Sequence, residues 1–212
     1  MTPLLALLDV DGTLFLTDDP LAGLALKETL ADRYDVELSD DAISSVDHQG
    51  QTSLRIARLV LAAAGIEEPE DLDDWCSGFA ERYLDLLAGA DTSNSRAAPE
   101  AEAALERLAA AEVRIALLTG NPEPIARARM QRLGLASFFP AGQGAFGCES
   151  ESREELIALA RRRAGGWPAS STVEVGDTPS DASSSQAAGI RSIIVGEEGL
   201  TVDAIQQLLS SA

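Results

Sequence analysis

Three short polar clusters hold the side chains able to do chemistry. The first is Asp9-Val10-Asp11-Gly12-Thr13. Carboxylates at i and i+2 on extended chain point to the same side, and Gly12 lets the chain turn sharply away. Such a pair holds a hard cation, or divides the work of nucleophile and acid/base. An ordinary turn after a strand would read the same way. The second cluster is Thr119-Gly120-Asn121-Pro122. Asn121 is expected as an N-cap with Pro122 at the first helical position. Free backbone N–H groups at that helix start, beside a Thr hydroxyl, form a phosphate cradle. The third is Gly176-Asp177-Thr178-Pro179-Ser180-Asp181. Thr178 as N-cap and Asp181 three residues on form a variant of the capping box. That accounts for Asp181 but not for Asp177, an acid at the end of a buried strand, which a metal explains better.

The elements that must position these clusters follow from the pattern of apolar runs. Short runs at 4–8, 113–118, 172–175 and 192–195 read as buried strands, with a weaker one at 144–146. Helical patterns separate the later ones, so the fold class is α/β with a parallel sheet covered on both faces. Each polar cluster then falls at the carboxyl end of a strand, where open parallel sheets bind ligands. Between the first two strands the periodicity is helical, near 20–34, 39–46, 52–64 and 70–88, and 91–98 reads as a polar linker. A core of 1–16 and 97–212 with an α-helical insertion at 17–96 is expected. A core helix opens at Pro99.

Composition narrows the partners. The chain has 212 residues, with 35 acidic against 16 basic and a net charge of −19. That balance disfavours nucleic acid and anionic membrane surfaces. Apolar residues make up 45%, enough to bury a core. No charged region precedes the first apolar run, which is too short to span a bilayer, so no signal peptide is expected. Cys76 and Cys148 lie far apart in sequence without a CxxC. A reducing cytoplasm is expected, with a lone disulfide possible but not suggested.

Two other signals lead away from familiar chemistries. Gly142 to Gly147 match GxGxxG but lack the preceding strand, the opening helix and the acid about twenty residues on, which excludes a dinucleotide site. His48 is the single histidine. With no GxSxG elbow and two remote cysteines, it makes neither a hydrolase triad nor a zinc centre. It lies in a polar loop, DHQGQT at 47–52, between helical segments.

In this order, DVDGTL at 9–14, LLTGN at 117–121, AFG at 145–147 with REEL at 153–156, VGDTPSD at 175–181 and AAGI at 187–190 resemble the haloacid dehalogenase-like superfamily. The resemblance covers the whole core. The insertion matches the family's helical cap of the first type, phosphoglycolate phosphatase-like. It implies a Rossmann-like core and Mg²⁺-dependent phosphoryl transfer. Asp9 would attack phosphorus, and Asp11 would protonate the leaving oxygen and then activate water. Asp9, the Asp11 backbone carbonyl, Asp177 and Asp181 would hold Mg²⁺. Thr119, Gly120 and Asn121 would bind the phosphoryl group, and the loop carrying His48 and Gln51 would read the substrate. The family usually places a lysine between the second and third clusters, but Lys27 is the only lysine here. The role falls to Arg153. Arg161, Arg162 and Arg163 are the rival, expected as a solvated last helical turn.

Asp11 argues against a dehalogenase, and the lack of a later lysine against a phosphonate hydrolase. A sugar-phosphate mutase and an idle binding module stay open beside the phosphatase. The expected setting is cytoplasmic. The expected partner is a small phosphorylated metabolite, with neither nucleic acid nor membrane, on a monomer or homodimer.

Overall fold

The computed structural model describes residues 3–210. The strand β1 (Leu5–Leu8) is buried at every position and lies at the centre of the sheet. It pairs in parallel with β2 (Arg114–Thr119) on one side and β4 (Thr172–Gly176) on the other. The short β3 (Ala145–Phe146) extends the sheet beyond β2, and β5 (Arg191–Ile194) beyond β4. The order is β3-β2-β1-β4-β5, all parallel.

The period of two along each strand divides the core between the faces. Leu4, Ala6 and Leu8 pack with Ile115, Leu117, Val173 and Val175 against α5 (Ala101–Ala110) and α9 (Val202–Ser210). Leu5 and Leu7 pack with Ala116 and Leu118 against α7 (Arg153–Arg163) on the other face. The helix α8 (Pro179–Ala187) follows β4, and α6 (Glu123–Arg132) follows β2. The helix α9 and its apolar stripe stand outside the sequence expectation.

Helices α1 (Pro20–Tyr34), α2 (Asp40–Ser44), α3 (Ser53–Ala63) and α4 (Leu72–Ala88) form a separate layer. Leu26, Leu30, Leu61, Trp75, Phe79 and Tyr83 give it its own apolar cluster, which reaches Ile125 and Ala128 of α6. Thr52 caps α3, its Oγ1 accepting from the Arg55 N–H at 3.2 Å.

Two local expectations are corrected. The polar stretch 91–98 is not a free linker. The Leu16 N–H donates to the Arg96 carbonyl at 3.0 Å and the Ala98 N–H to the Leu14 carbonyl at 3.0 Å, so the outgoing and returning chains pair as a ribbon. The distant cysteines are also brought together: Cys76 of α4 and Cys148, just after β3, form a disulfide with Cα atoms 5.9 Å apart. Their separation in sequence hides a proximity made by packing, since Cys148 lies against the apolar cluster that contains Cys76. The cysteines therefore give no argument for a reducing compartment. Among the described residues, no helix is long and apolar enough to cross a membrane.

Candidate active site

Asp9 is the first residue past β1, and only 5% exposed. Its Oδ1 accepts the Val10 N–H at 2.8 Å, and its Oδ2 lies 3.8 Å from the Arg153 Nη2. Burial pushes the Asp9 carboxyl well above its ordinary pKa. Arg153 opposes that rise, and the nearby Asp181 adds to it. Arg153, at the start of α7, also pairs with Glu174 of β4 at 2.9 Å and with Asp181. Burial works against the Arg153 charge, but Asp9, Asp181 and Glu174 together hold it more firmly protonated than usual.

Asp177 and Asp181 complete this centre from the β4 end. Carboxylate oxygens of Asp9, Asp177 and Asp181 all lie within 4.8 Å of one another. Burial, and then the proximity of Asp181, raise the Asp177 pKa. Three hard oxygen donors gathered against one guanidinium form a site short of positive charge, a donor set that fits a divalent cation such as Mg²⁺. The capping box also forms. The Thr178 N–H donates to the Asp181 Oδ2 at 2.8 Å, while the Asp181 Oδ1 faces Arg153. One carboxylate thus both caps α8 and borders the cluster. Gly12 has φ +70°, and a Cβ there would overlap the Asp177 carboxylate. The first turn closes only because position 12 is bare.

Asp11 turns away from the three-carboxylate cluster. Its Oδ2 accepts from the Asn121 Nδ2 at 2.6 Å, and both its oxygens accept from the Arg129 Nη1, at 2.7 and 2.8 Å. Asn121 does not cap α6, contrary to expectation. The helix begins two residues later, and the side chain is engaged by Asp11 and by the Thr119 Oγ1 at 3.0 Å. The Thr119 hydroxyl also accepts the Asn121 N–H at 3.3 Å. Both bonds are accepted, so its own proton stays available for an anion.

The helical layer sits directly over these groups. The Ser53 N–H and Oγ both reach the Gly120 carbonyl at 2.9 Å, and the Leu54 N–H reaches the Gly147 carbonyl at 3.1 Å. A Cβ on Gly120 would overlap the Gln51 carbonyl. Beneath this roof is a cavity of about 340 Å³, into which Asp9, Asp11, Thr119, Asn121, Arg153 and Asp177 face. His48, Gln51 and Gly120 border it as well. The His48 Nε2 lies 3.1 Å from the Ile43 carbonyl.

The structure thus brings the expected site residues to one place; Asp181 does not line the cavity but stands behind it, beside Asp9 and Asp177 and paired with Arg153. The rival arginines lie elsewhere. Arg163 pairs with Glu149 at 2.6 Å and Arg161 donates to the Trp167 carbonyl at 2.8 Å, so that turn is held by contacts rather than merely solvated. Two site residues stand outside the sequence expectation. Arg129 falls on the inward stripe of α6 with Ile125 and Ala128, and Glu174 falls inside an otherwise apolar strand. A charge on a buried stripe is the signal that marks both, because such a group needs a partner.

A family model described as haloacid dehalogenase-like hydrolase matches residues 6–185. The chain belongs to that family. A phosphoglycolate phosphatase of Rhodospirillum rubrum is 30% identical over 196 residues, covering 91% of this haloacid dehalogenase-like hydrolase and 79% of the relative. Among solved structures, CbbY from Rhodobacter sphaeroides in complex with phosphate aligns with a TM-score of 0.60 at 19% identity, over 92% of this chain and 87% of that one. A predicted phosphoglycolate phosphatase from Haemophilus somnus 129pt aligns with a TM-score of 0.59 at 18% identity, over 99% and 98%. At such identities the structures show the shared fold.

Proposed function

We propose that this hydrolase is a Mg²⁺-dependent phosphatase acting on a small organic phosphomonoester. The observation that carries the reading is the convergence of Asp9, Thr119, Arg153 and Asp177 on one small roofed cavity. Asp9 is the nucleophile. Its Oδ1 is held by the Val10 N–H, which fixes the carboxylate for in-line approach to phosphorus. Arg153 offers positive charge to the incoming phosphate beside that nucleophile, and stays charged at any working pH. The Thr119 hydroxyl donates to a phosphoryl oxygen. Asp9, Asp177 and Asp181, with the Asp11 backbone carbonyl, would hold Mg²⁺. That ion supplies the charge that offsets repulsion between carboxylate and phosphate. As the Asp9–phosphorus bond forms and the ester bond breaks, Asp11 gives its proton to the leaving oxygen. It then takes a proton from the water that releases phosphate.

The helical layer acts as the cap, excluding bulk water and reading the substrate through His48 and Gln51. The cations lining the cavity are Arg129 and Arg153, both already paired inside the core, so a substrate with one phosphate and a small polar body suits it better than a bisphosphate. Hydrolysis of 4-nitrophenyl phosphate with Mg²⁺ and with chelator tests the proposal. Metal-dependent turnover that is lost in Asp9→Asn is expected. Turnover that persists in Asp9→Asn, or in chelator, overturns it. The mutase alternative is tested with a sugar 1-phosphate, where free phosphate rather than the isomeric sugar phosphate is the expected product.

A further inference from the structure

We propose that Arg129 is a positioning residue that holds Asp11 toward the cavity and ties that orientation to the seat of the cap. The assignment rests on the phosphatase reading above and adds to it a residue which that reading does not use.

Arg129 is only 3% exposed. It lies on α6, and Asn121 lies in the turn that leads from β2 into that helix, so the two side chains meet at one edge of the site. The Asp11 side chain, by contrast, is about half exposed (51%) and stands on a sharp turn. A short carboxylate in that setting has free rotamers, and selecting one costs entropy unless a partner fixes it. The Arg129 Nη1, reaching both Asp11 oxygens and the Asn121 Oδ1 at 3.0 Å, is that partner. A charge-assisted bond is the strong kind.

The other side of the same guanidinium reaches the cap. The Arg129 Nε lies 3.3 Å from the Oδ2 of Asp19, which immediately precedes α1 and whose side chain is nearly removed from water. The same Asp19 oxygen accepts from the Tyr83 hydroxyl of α4 at 2.6 Å and lies 3.3 Å from the Arg132 Nη1. The guanidinium also stacks over the Phe15 ring at 5.1 Å and over the Tyr83 ring at 6.0 Å. One buried cation therefore touches the acid of the first turn, the polar residue after β2, the entry to the cap and a cap helix. Displacing α1 and α4 from α6 removes Asp19 and Tyr83 from Arg129 and loosens its grip on Asp11. Arg129 transfers no proton itself, since a guanidinium stays protonated. Asp11 enters the step protonated, one oxygen accepting from the Arg129 Nη1 while the other gives its proton to the leaving oxygen; the ester P–O electron pair goes to that oxygen, and the new bond runs from Asp9 to phosphorus.

The leaving group provides a readout that a purely structural ion pair would not move. A 4-nitrophenolate leaves without a proton, whereas an alkoxide needs one. The kcat/KM values of the wild type, Arg129→Met and Arg129→Lys are compared on 4-nitrophenyl phosphate and on glycerol phosphate, with thermal melts to confirm folding. Arg129→Met is expected to lose about 100-fold on the alkyl ester and much less on the aryl ester, with partial recovery of the alkyl rate in Arg129→Lys. The double variant with Asp11→Asn is expected to lose little beyond Asp11→Asn alone. Should Arg129→Met fail to fold, Asp19→Asn is expected to show the same alkyl-selective loss at smaller size. Equal losses on both esters, or additive losses in the double variant, overturn the assignment. A wild type without turnover on either ester removes the phosphatase reading and this assignment with it, whereas an active wild type with equal losses removes only this assignment.

Discussion

The two carboxylates of the first turn are served by two arginines, and the two settings differ. Arg153 and its partners Asp9, Glu174 and Asp181 all belong to the sheet and the helices packed on it. Among the described residues, no ion pair joins the helical insertion to that centre. Arg129 instead spans Asp11, Asn121 and Asp19, with Tyr83 of the insertion beside it. Both guanidiniums are nearly removed from water, but their partners are not alike: Asp9, Glu174 and Asp181 are all buried around Arg153, whereas Arg129 holds the half-exposed Asp11 beside an Asp19 that Arg132 also serves. A buried charge must be compensated in place, so the Asp9 centre is rigid and local. A half-exposed one tolerates loss of its partner, so the Asp11 centre can respond to where the insertion sits. In the proposed chemistry, the nucleophile belongs to the first setting and the proton carrier to the second.

The largest expected effect separates the two centres. Arg153→Ala leaves Asp9, Glu174 and Asp181 facing one another, and is expected to cost about 3–5 kcal/mol of stability. Turnover is expected to fall about 100- to 1,000-fold. Denaturant melts and steady-state hydrolysis check both, and Arg153→Lys should restore more stability than turnover, because the charge returns but the planar fork does not. A stability loss as large from Arg129→Met would erase the contrast.

Gly12 joins the two centres, since it separates Asp11 from the Asp177 carboxylate it abuts. Gly12→Ala must both strain a φ of +70° and displace Asp177. Activity titrated against Mg²⁺ is expected to show weaker apparent metal affinity and about 100-fold lower turnover. An unchanged Mg²⁺ titration would remove Asp177 from the metal set.

The seat of the insertion is sharpened by the Cys76–Cys148 disulfide, whose partners are 72 residues apart. Replacing both cysteines by serine is expected to cost about 2–4 kcal/mol. Strong reductant should lower the wild-type melting temperature and leave the serine variant unmoved. Equal melting of both proteins with and without reductant would show that the bridge does not form.

The smallest effect concerns the charge at Asp9. Burial raises its pKa above the ordinary 3.8, so the native state keeps its proton to higher pH than the unfolded chain. Its contribution to stability is therefore lost as pH rises from the ordinary value through the raised one. Metal-free Asp9→Asn should then melt above the metal-free wild type at neutral pH. The gap should narrow in acid, and Mg²⁺ should stabilise the wild type more than the variant. A lower melting temperature for the metal-free variant at neutral pH would contradict the sign.

Much of this was written locally in the chain. Uninterrupted apolar runs such as that of β1 announce buried parallel strands, and polar residues at their carboxyl ends announce the crevice. The scarcity of lysine directed attention to Arg153, which does face Asp9. Other features depend on distance in space rather than in sequence. The disulfide, the ribbon of 14–17 with 94–98 and the Arg129 junction all join segments whose proximity comes only from packing. Asn121 reads as a helix cap because a cap is the local use of an asparagine before a proline. Asp11, brought in from the end of β1, and Thr119, two residues back at the end of β2, compete for its side chain and win. Glu174 and Arg129 were visible only as charges on buried stripes, each implying a partner that the sequence leaves unnamed.

The nucleophile assignment is tested most directly by trapping the enzyme in turnover. The protein is mixed with a small phosphomonoester and Mg²⁺, quenched in acid and reduced with borohydride, which converts an aspartyl-phosphate to homoserine. Peptide mass mapping should find homoserine at position 9, only when substrate was present. Turnover with an unmodified position 9, or with the reduced residue at position 11, would contradict the account.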